Sequence, residues 1–315
     1  MKITVLDGFA INPGDLDWGI LEPFGTVTVY DRTDSDGESI RRIGDSEVVL
    51  VNKTPLPAAV IEACPSIKLI GMLATGYNIV DVECAKRHGI PVCNVPCYST
   101  NAVSQFAIAL LLEICHHCGR HNVLVHEGAW TSCQDFCLWT TPQMELADKT
   151  LGIIGYGRIG RQTAKIAEAL GMKVIAYSRS HTSDADYVDL DTLLRQSDVI
   201  SLHCPLFPET AGIISREAIA KMKDGVILIN TARGGLIDEQ AVADALASGK
   251  FRAAAVDVTT VEPIRKENPL LSAPNCIITP HMAWTPVEAR RRLLNTVRDY
   301  IAAFCEGKPI HVVNP

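Results

Sequence analysis

Thr150-Leu-Gly-Ile-Ile-Gly155-Tyr-Gly157-Arg-Ile-Gly160 is the stretch that decides the fold class of this chain. Its β-like apolar run enters a Gly-x-Gly-x-x-Gly turn, and apolar residues at helical spacing follow the turn. A second apolar run, Lys173 to Tyr177, completes a βαβ unit of about 30 residues. Gly155 suits a tight turn, Gly157 lets the backbone approach a pyrophosphate, and Gly160 lets the helix pack closely on the strand. The stretch therefore predicts a dinucleotide-binding site at a helix N-terminus.

The composition is that of an ordinary globular protein with about two domains. The chain has 315 residues, of which 47% are hydrophobic and 21% charged, and its formal net charge is -7. This charge leaves no basic surplus, so we expect no nucleic-acid partner. The longest apolar segment, Phe106 to Ile114, contains Glu113 and is far shorter than the ~20 residues that span a bilayer. We therefore expect no membrane span.

Eleven cysteines, an odd number, are scattered along the chain. Reduced thiols in a cytoplasmic protein are the simplest interpretation, because a chain of this size does not need disulfides. Cys115-His116-His117-Cys118 suggests a metal site, but no second pair at zinc-ligand spacing follows it. Cys133 and Cys137 give no better ligand set, so we predict no metal.

Apolar β-like runs alternate with helical patterns along the chain, which favours parallel sheets with crossover helices. The predicted strands of the first third are Ile3–Leu6, Val27–Tyr30, Val48–Val51, Leu69–Met72 and Pro91–Asn94. Those of the second sheet start at Leu151 and continue with Val174–Tyr177, Val199–Leu202, Val226–Asn230, Ala253–Val258 and Cys276–Thr279. A long helix is expected from Asn101, and a last helix, Val287 to Phe304, precedes a final short apolar run, Ile310 to Val313.

Three segments of the second sheet carry titratable groups at strand ends, where open α/β sheets bind ligands. They contain Arg233, Glu262 and His281. Each alone has an ordinary interpretation: a surface cation, a turn acid before a proline, and a packed histidine. A function has to be argued from the whole set.

Together with the glycine-rich turn, this set resembles the D-2-hydroxyacid dehydrogenase family across essentially the whole chain. The other stretches that carry the resemblance are Ala74-Thr-Gly76-Tyr-Asn78, Gly89-Ile-Pro-Val-Cys-Asn94-Val-Pro96, Asp198-Val-Ile-Ser-Leu-His203-Cys-Pro205, Glu209-Thr210 and Pro280-His281-Met-Ala-Trp284. Within the family the chain is most similar to the glycerate dehydrogenases, also called hydroxypyruvate reductases. That similarity lies in Asn94-Val-Pro-Cys-Tyr98-Ser, Asp135-Phe-Cys-Leu-Trp139 and His281-Met-Ala-Trp284.

The resemblance implies an α/β fold of two doubly wound parallel-sheet domains with a cleft between them. A flavodoxin-like substrate domain would comprise residues 1–99 completed by 286–315, and a Rossmann NAD(P)-binding domain would comprise residues 100–285. It also implies a homodimer formed through the cofactor domain, with the long helix near Asn101 to Arg120 in the contact. The periodicity of the sequence leaves a monomer open.

The residue types fit the reduction of a 2-oxo acid, which needs a proton donor near the carbonyl oxygen. His281 suits that role. Glu262 would orient the imidazole and favour its protonated form, and Arg233 would hold the substrate carboxylate in two hydrogen bonds. Thr75 and Gly76 would, by resemblance, hold the other side of the carboxylate. Lys53 either lines the same site or is a solvated strand-end lysine.

By the same resemblance the nicotinamide cofactor would be bound by a set of residues at the carboxyl ends of the second sheet. They are Gly155, Tyr156, Gly157, Arg158, Ile159, Gly160, Ser178, Arg179, Ser180, His203, Cys204, Pro205, Thr210, Thr231, Ala232, Asp257, His281 and Ala283.

The residues after the second strand bear on the choice between NADPH and NADH. Ser178 lies 23 residues beyond Gly155, where an acid would bind the adenine ribose of NAD. The chain reads Tyr177-Ser-Arg-Ser-His181 there, and a hydroxyl with a guanidinium can bind a 2′-phosphate. We therefore favour NADPH. NADH or dual use stays open, because Arg179 stacked on adenine would tolerate either cofactor.

The sequence thus predicts an oxidoreductase acting on a small 2-oxo or 2-hydroxy acid, with hydroxypyruvate and glyoxylate favoured. One alternative is the same reaction on another 2-oxo acid. The other is a cofactor-sensing protein like the transcriptional corepressors that share this fold. The complete set of Arg233, Glu262 and His281 argues against a purely binding role, since a sensor needs no proton donor.

Overall fold

A computed structural model describes residues 1–180 and 185–315 of the chain. The chain divides into two compact units, the first formed by Met1–Ser99 with Trp284–Pro315 and the second by Thr100–Ala283. Each unit contains one parallel β-sheet covered by helices. The fold class expected from the sequence, two parallel-sheet α/β domains, is confirmed.

The first unit contains five parallel strands in the order β2-β1-β3-β4-β5. This is the flavodoxin-like order, in which the chain first winds to one side of β1 and then to the other. The strands are β1 Lys2–Val5, β2 Thr26–Val29, β3 Val48–Val51, β4 Leu69–Met72 and β5 Val92–Cys93. The helices are α1 Asp36–Ile43, α2 Ala58–Ala63, α3 Val82–Arg87 and α10 Val287–Cys305, with a 3-10 helix at Trp18–Phe24.

Helices cover both faces of this sheet, which explains why β3 and β4 are buried at every position and read as continuous apolar runs. The helix α10 packs on one face through Leu293, Val297 and Tyr300. Gly71 in β4 makes this packing possible, because a Cβ there would lie 2.2 Å from the Tyr300 hydroxyl oxygen. The final apolar run forms no strand. It makes a single antiparallel bridge, between Cys93 and Val312.

The second unit contains six parallel strands in the order β11-β10-β9-β8-β6-β7. They are β6 Thr150–Ile154, β7 Lys173–Tyr177, β8 Val199–Leu202, β9 Val226–Asn230, β10 Phe251–Val256 and β11 Cys276–Ile278. Its helices are α4 Thr100–His116, α5 Cys118–His126, α6 Arg158–Ala169, α7 Leu190–Gln196, α8 Arg216–Lys221 and α9 Glu239–Ala247. Two 3-10 helices lie at Gly234–Leu236 and Pro269–Ser272. Every strand predicted from the apolar runs is present, with ends shifted by at most two residues.

The winding of this sheet reverses between β6 and β8, because β7 lies on one side of β6 and β8 on the other. In open α/β sheets, ligands bind outside the carboxyl ends of the strands at such a switch point. The glycine-rich turn follows β6 directly, and His203 follows β8. The topology alone therefore marks the end of these two strands as the candidate site.

The long helix expected near Asn101 to Arg120 is two helices. His117 adopts a left-handed conformation, with φ 47°, and ends the hydrogen-bonded run of α4 before α5 begins. The first helix packs in the core through Ala107, Leu111 and Ile114. Among the described residues no single helix is long and apolar enough to cross a membrane, although α4 and α5 together, bent by 53°, have the length and composition of a broken span.

Candidate active site

The turn after β6 contains three glycines, of which Gly155 and Gly160 are confined by neighbouring backbone atoms. Gly155 has φ 98°, a conformation that L side chains rarely adopt, and a Cβ there would lie 2.4 Å from the Cys204 backbone nitrogen. A Cβ at Gly160 would lie 2.3 Å from the Gly155 carbonyl oxygen. Both glycines are therefore required by the fold itself.

Gly157 differs from its two neighbours, because no protein atom of the described chain lies within 4 Å of the place where its Cβ would be. Its φ of -80° and ψ of -160° are open to any L residue. Nothing inside the protein therefore demands a glycine here. The position begins α6 as its N-cap and, being a glycine, has no side chain with which to cap that end.

This end of α6 thus combines the positive end of a helix dipole with open space beside a glycine. A pyrophosphate fits each of these features. The residues present therefore fit a dinucleotide cofactor at Gly155 to Gly160.

The residues after β8 face the same turn. The His203 backbone nitrogen donates to the Ile154 carbonyl oxygen at 2.8 Å. The His203 Nε2 lies 2.9 Å from Ser201 Oγ, and burial lowers the pKa of the imidazole to about 4. His203 is therefore neutral at physiological pH. Its buried Nδ1 makes no hydrogen bond with any described residue, and the same holds for Thr231 Oγ1 after β9.

The remaining residues after β8 form a closed turn. Thr210 Oγ1 donates to the Pro205 carbonyl oxygen and accepts from the Phe207 backbone nitrogen, both at 2.8 Å. Burial raises the pKa of the Cys204 thiol, so this side chain is a neutral, apolar group beside the glycine turn.

After β7, Arg179 is exposed, and its guanidinium carbon lies 4.9 Å from the ring centroid of Phe207. This cation–π contact orients the guanidinium beside the turn that follows β8. Ser178 and Ser180 flank it, whereas His181 lies outside the described residues. Sequence reasoning missed Phe207, whose exposed aromatic ring carried no recognised motif.

His281 and Glu262 form a hydrogen-bonded pair. His281 Nδ1 lies 2.7 Å from Glu262 Oε2, and both side chains are about one-third exposed, at 30% and 35%. The Thr259 backbone nitrogen donates to the other carboxylate oxygen at 3.2 Å. Since Nδ1 is committed to the carboxylate, Nε2 is the ring nitrogen left to meet a substrate. This arrangement is that of an oriented general acid and base.

Asp257, fully buried at the end of β10, holds the segment that carries His281. Its carboxylate accepts from Thr279 Oγ1 at 2.6 Å and from the backbone nitrogens of Met282 and Ala283 at 2.9 and 2.8 Å. Its carbonyl oxygen accepts from the His281 backbone nitrogen at 2.8 Å. These bonds hold His281 at φ 52°, a backbone conformation that costs a non-glycine residue about 1–3 kcal/mol.

Arg233 follows β9 on a turn that the buried Asn230 stabilises. The Asn230 side-chain amide donates to the Arg233 carbonyl oxygen at 2.9 Å and accepts from the Ala232 nitrogen at 3.0 Å. The Arg233 side chain is exposed, and one of its nitrogens donates to the Ala232 carbonyl oxygen at 2.7 Å. Arg233, Glu262 and His281 thus follow three adjacent parallel strands, whose carboxyl ends share one edge of the sheet.

Lys53, Thr75 and Gly76 belong to the first unit, after β3 and β4. The Lys53 backbone is held by Asp7, whose carboxylate accepts from the backbone nitrogens of Lys53 and Thr54. Thr75 Oγ1 donates to the Val95 carbonyl oxygen at 2.7 Å. Sequence reasoning missed Asp7 as a loop anchor, although an acid directly after an apolar strand was the available signal. The part of these residues in substrate binding stays a prediction.

Among the described residues, no cluster of three or more His, Cys, Asp or Glu side chains could hold a metal ion. The residues predicted to bind the cofactor, by contrast, follow the carboxyl ends of neighbouring strands of the second sheet. The chemistry that this edge can support is therefore proton transfer by His281, anion binding by Arg233, and dinucleotide binding at the start of α6.

Known proteins resemble this chain over most or all of its length. A family model described as "D-isomer specific 2-hydroxyacid dehydrogenase, NAD binding domain" matches residues 108–283. The chain is 58% identical to the hydroxypyruvate reductase of Blautia hydrogenotrophica over the full length of both chains. It is 42% identical to the glycerate dehydrogenase of Methylorubrum extorquens, with 90% of each chain covered. Among solved structures, an acyclic imino acid reductase in complex with NADPH and D-Arg superposes with a TM-score of 0.87 at 31% identity, covering 99% of this chain and 100% of that one.

Proposed function

The chain belongs to the family of D-isomer specific 2-hydroxyacid dehydrogenases, and we propose that it reduces hydroxypyruvate or glyoxylate to the corresponding 2-hydroxy acid. The observation that carries the chemistry is the 2.7 Å pair of His281 Nδ1 and Glu262 Oε2 beside the strand end of Arg233. The choice of substrate is supported by the names of the two relatives, which act on hydroxypyruvate and glycerate.

His281 would be the proton donor. When bound, the nicotinamide cofactor supplies a hydride to the substrate carbonyl carbon. The carbonyl oxygen then needs a proton, which His281 Nε2–H would give it, while Glu262 would stabilise the charged imidazole through Nδ1. In the reverse direction the neutral Nε2 would accept the hydroxyl proton. Removing the donor should cost about 10²- to 10⁴-fold in rate.

Arg233 would bind the substrate carboxylate. A planar guanidinium offers two parallel N–H donors, which match the two carboxylate oxygens and fix the orientation of the 2-oxo acid. The exposed side chain on a turn anchored by Asn230 suits this role, since its backbone is fixed while its head stays accessible. Lys53, Thr75 and Gly76 are proposed as further substrate-binding residues.

The nicotinamide cofactor is proposed to be NADPH rather than NADH. Ser178, Arg179 and Ser180 offer two hydroxyls and a cation where an acid would repel a 2′-phosphate. The Phe207 ring supports this proposal, because it keeps the Arg179 guanidinium oriented at 4.9 Å. The NADPH bound to the related imino acid reductase is consistent with such a site in this fold.

We also propose a homodimer formed through the cofactor unit. The segment after α4 exposes large apolar side chains, with Phe136 at 90% and Trp139 at 65% exposure. Trp130, Val123 and Val125 extend this surface. A second copy of the chain is the partner expected to bury such a surface. Sedimentation of the wild type against a Phe136→Asp variant tests it, and a monomeric wild type would refute it.

The assignment is tested by steady-state reduction of hydroxypyruvate, glyoxylate and pyruvate with NADPH and with NADH. We expect hydroxypyruvate to have the highest kcat/KM. The His281→Ala variant should lose most of its turnover while binding NADPH as the wild type does, and Arg233→Lys should raise KM for the 2-oxo acid. Near-native turnover of His281→Ala, or no reduction of any 2-oxo acid by the wild type, would overturn the proposal.

A further inference from the structure

We propose that Glu239 is a positioning residue that holds the Glu262 loop in register with the Arg233 turn. The inference rests on the proposed function, because it assigns a role within the same site. Glu239 is the first residue of α9 and is partly buried. It lies on neither of the segments that carry the acid–base pair.

The Glu239 carboxylate spans the loop that carries Glu262. Its Oε1 accepts from the Thr260 backbone nitrogen at 2.8 Å, two residues before Glu262, and its Oε2 accepts from Asn268 Nδ2 at 2.9 Å, six residues after it. Residues on both sides of Glu262 are thus hydrogen-bonded to one carboxylate at the start of a helix. Thr260 is exposed, so without this acceptor its N–H would bind only water.

The same helix is tied to Arg233 through the backbone. Only the residues from Gly234 to Asp238 separate Arg233 from α9, and Gly234 packs against the chain at Thr259. A Cβ at Gly234 would lie 2.0 Å from the Thr259 carbonyl carbon. Thr259 in turn donates its N–H to Glu262 Oε1 at 3.2 Å. Glu239 therefore closes a ring of contacts that joins the carboxylate-binding arginine to the partner of His281.

A purely local role would be different. An acidic residue in the first turn of a helix stabilises it through the helix dipole, worth about 0.3–1 kcal/mol. Glu217 in the first turn of α8 has that property, and its carboxylate accepts from Ser215 Oγ at 2.7 Å within its own cap. Glu217→Gln is thus a matched control that removes the same charge from a helix start away from the Glu262 loop.

The test is a cycle of Glu239→Gln, Asn268→Asp and the double variant. In Glu239→Gln the new amide can still accept from Thr260, but its NH₂ faces the NH₂ of Asn268. In Asn268→Asp two carboxylates face each other. The double variant restores the bond with donor and acceptor exchanged, at unchanged net charge. The Asn268→Asp change also keeps an acceptor for the Leu270 backbone nitrogen, which in the wild type lies 3.0 Å from Asn268 Oδ1.

We expect kcat of Glu239→Gln to fall about 5- to 10-fold, the size of one lost hydrogen bond, with KM for the 2-oxo acid and Kd for NADPH within about twofold of wild type. The kcat of Asn268→Asp should fall further, because two carboxylates then face each other. The kcat of the double variant should return to within about threefold of the wild-type value, because the hydrogen bond between residues 239 and 268 is formed again. Glu217→Gln should leave kcat unchanged. Circular dichroism at the assay temperature checks that each variant is folded.

A second readout does not depend on turnover. The ring ¹H–¹⁵N signals of His281, assigned by their loss in His281→Ala, report the hydrogen bond to Glu262 in the protein without substrate. They should shift in Glu239→Gln and return in the double variant. Unchanged kcat and unchanged ring signals in Glu239→Gln, or no recovery in the double variant, would overturn the role of Glu239. If the wild type reduces no 2-oxo acid, the proposed function fails, while the ring signals still decide whether Glu239 positions the pair.

Discussion

Gly157→Ala separates a glycine that the cofactor needs from one that the fold needs. No described protein atom lies within 4 Å of the new Cβ, and φ -80° with ψ -160° suits alanine. The free protein should therefore be as stable as wild type, or gain up to about 1 kcal/mol because the unfolded chain is less flexible. The same methyl group would project into the space proposed for the pyrophosphate.

The loss in affinity follows from the contacts displaced. A charge-assisted hydrogen bond is worth about 1.5–3 kcal/mol, so losing one phosphate contact should raise Kd for NADPH about 10- to 150-fold. Fluorescence titration of NADPH measures Kd, and thermal unfolding without cofactor measures stability. The Kd for NADH should rise by the same factor as the Kd for NADPH, since both cofactors carry the pyrophosphate.

Gly160→Ala is the matched control. Its Cβ would lie 2.3 Å from the Gly155 carbonyl oxygen and 3.1 Å from Ile153 Cγ2. Overpacking of this kind costs about 1–3 kcal/mol, so Tm of the free protein should fall by about 2–4 °C per kcal/mol. A Gly157→Ala protein that binds NADPH as tightly as wild type, or that unfolds as early as Gly160→Ala, would refute the reasoning.

Two further predictions concern the cofactor choice and the dependence of stability on pH. Arg179→Ala should lower kcat/KM with NADPH about 10- to 150-fold and change kcat/KM with NADH little. Ser178→Asp should shift the preference toward NADH. Equal losses of kcat/KM with both cofactors in Arg179→Ala would show that Arg179 does not contact the 2′-phosphate. Burial lowers the pKa of His203 from 6.5 to about 4. Between pH 6.5 and pH 4 the imidazole therefore binds a proton in the unfolded chain but not in the folded one, so the free energy of unfolding falls as the pH falls. Between pH 8 and pH 5, His203 should lower the free energy of unfolding by about 2 kcal/mol. Urea unfolding at both pH values measures this change, and the His203→Gln variant should lack the part that is due to His203.

The sequence alone determined the fold class and predicted the chemistry of the candidate site. Apolar runs reveal buried parallel strands because both faces of each sheet are covered, so all eleven strands of the described chain could be located by reading them. The glycine-rich turn could be found from its own spacing, whereas Arg233, Glu262 and His281 were predicted as a set through the resemblance to the dehydrogenase family, since each alone has an ordinary interpretation. Helix ends were less certain. The break at His117 rests on one left-handed residue inside an otherwise continuous helical pattern.

Only the tertiary structure decided which residues support that set. Asp257 and Glu239 lie more than 20 residues in sequence from the groups that they hold, and their carboxylates accept from backbone N–H groups, which carry no side-chain signature. The structure also separated the three glycines of one motif, two confined by backbone atoms and one, Gly157, facing open space. Sequence patterns record which residue types recur along one element, whereas hydrogen-bond partners depend on how loops from different strands meet. That meeting is fixed by strand order and by close backbone contacts such as that of Gly234 with Thr259.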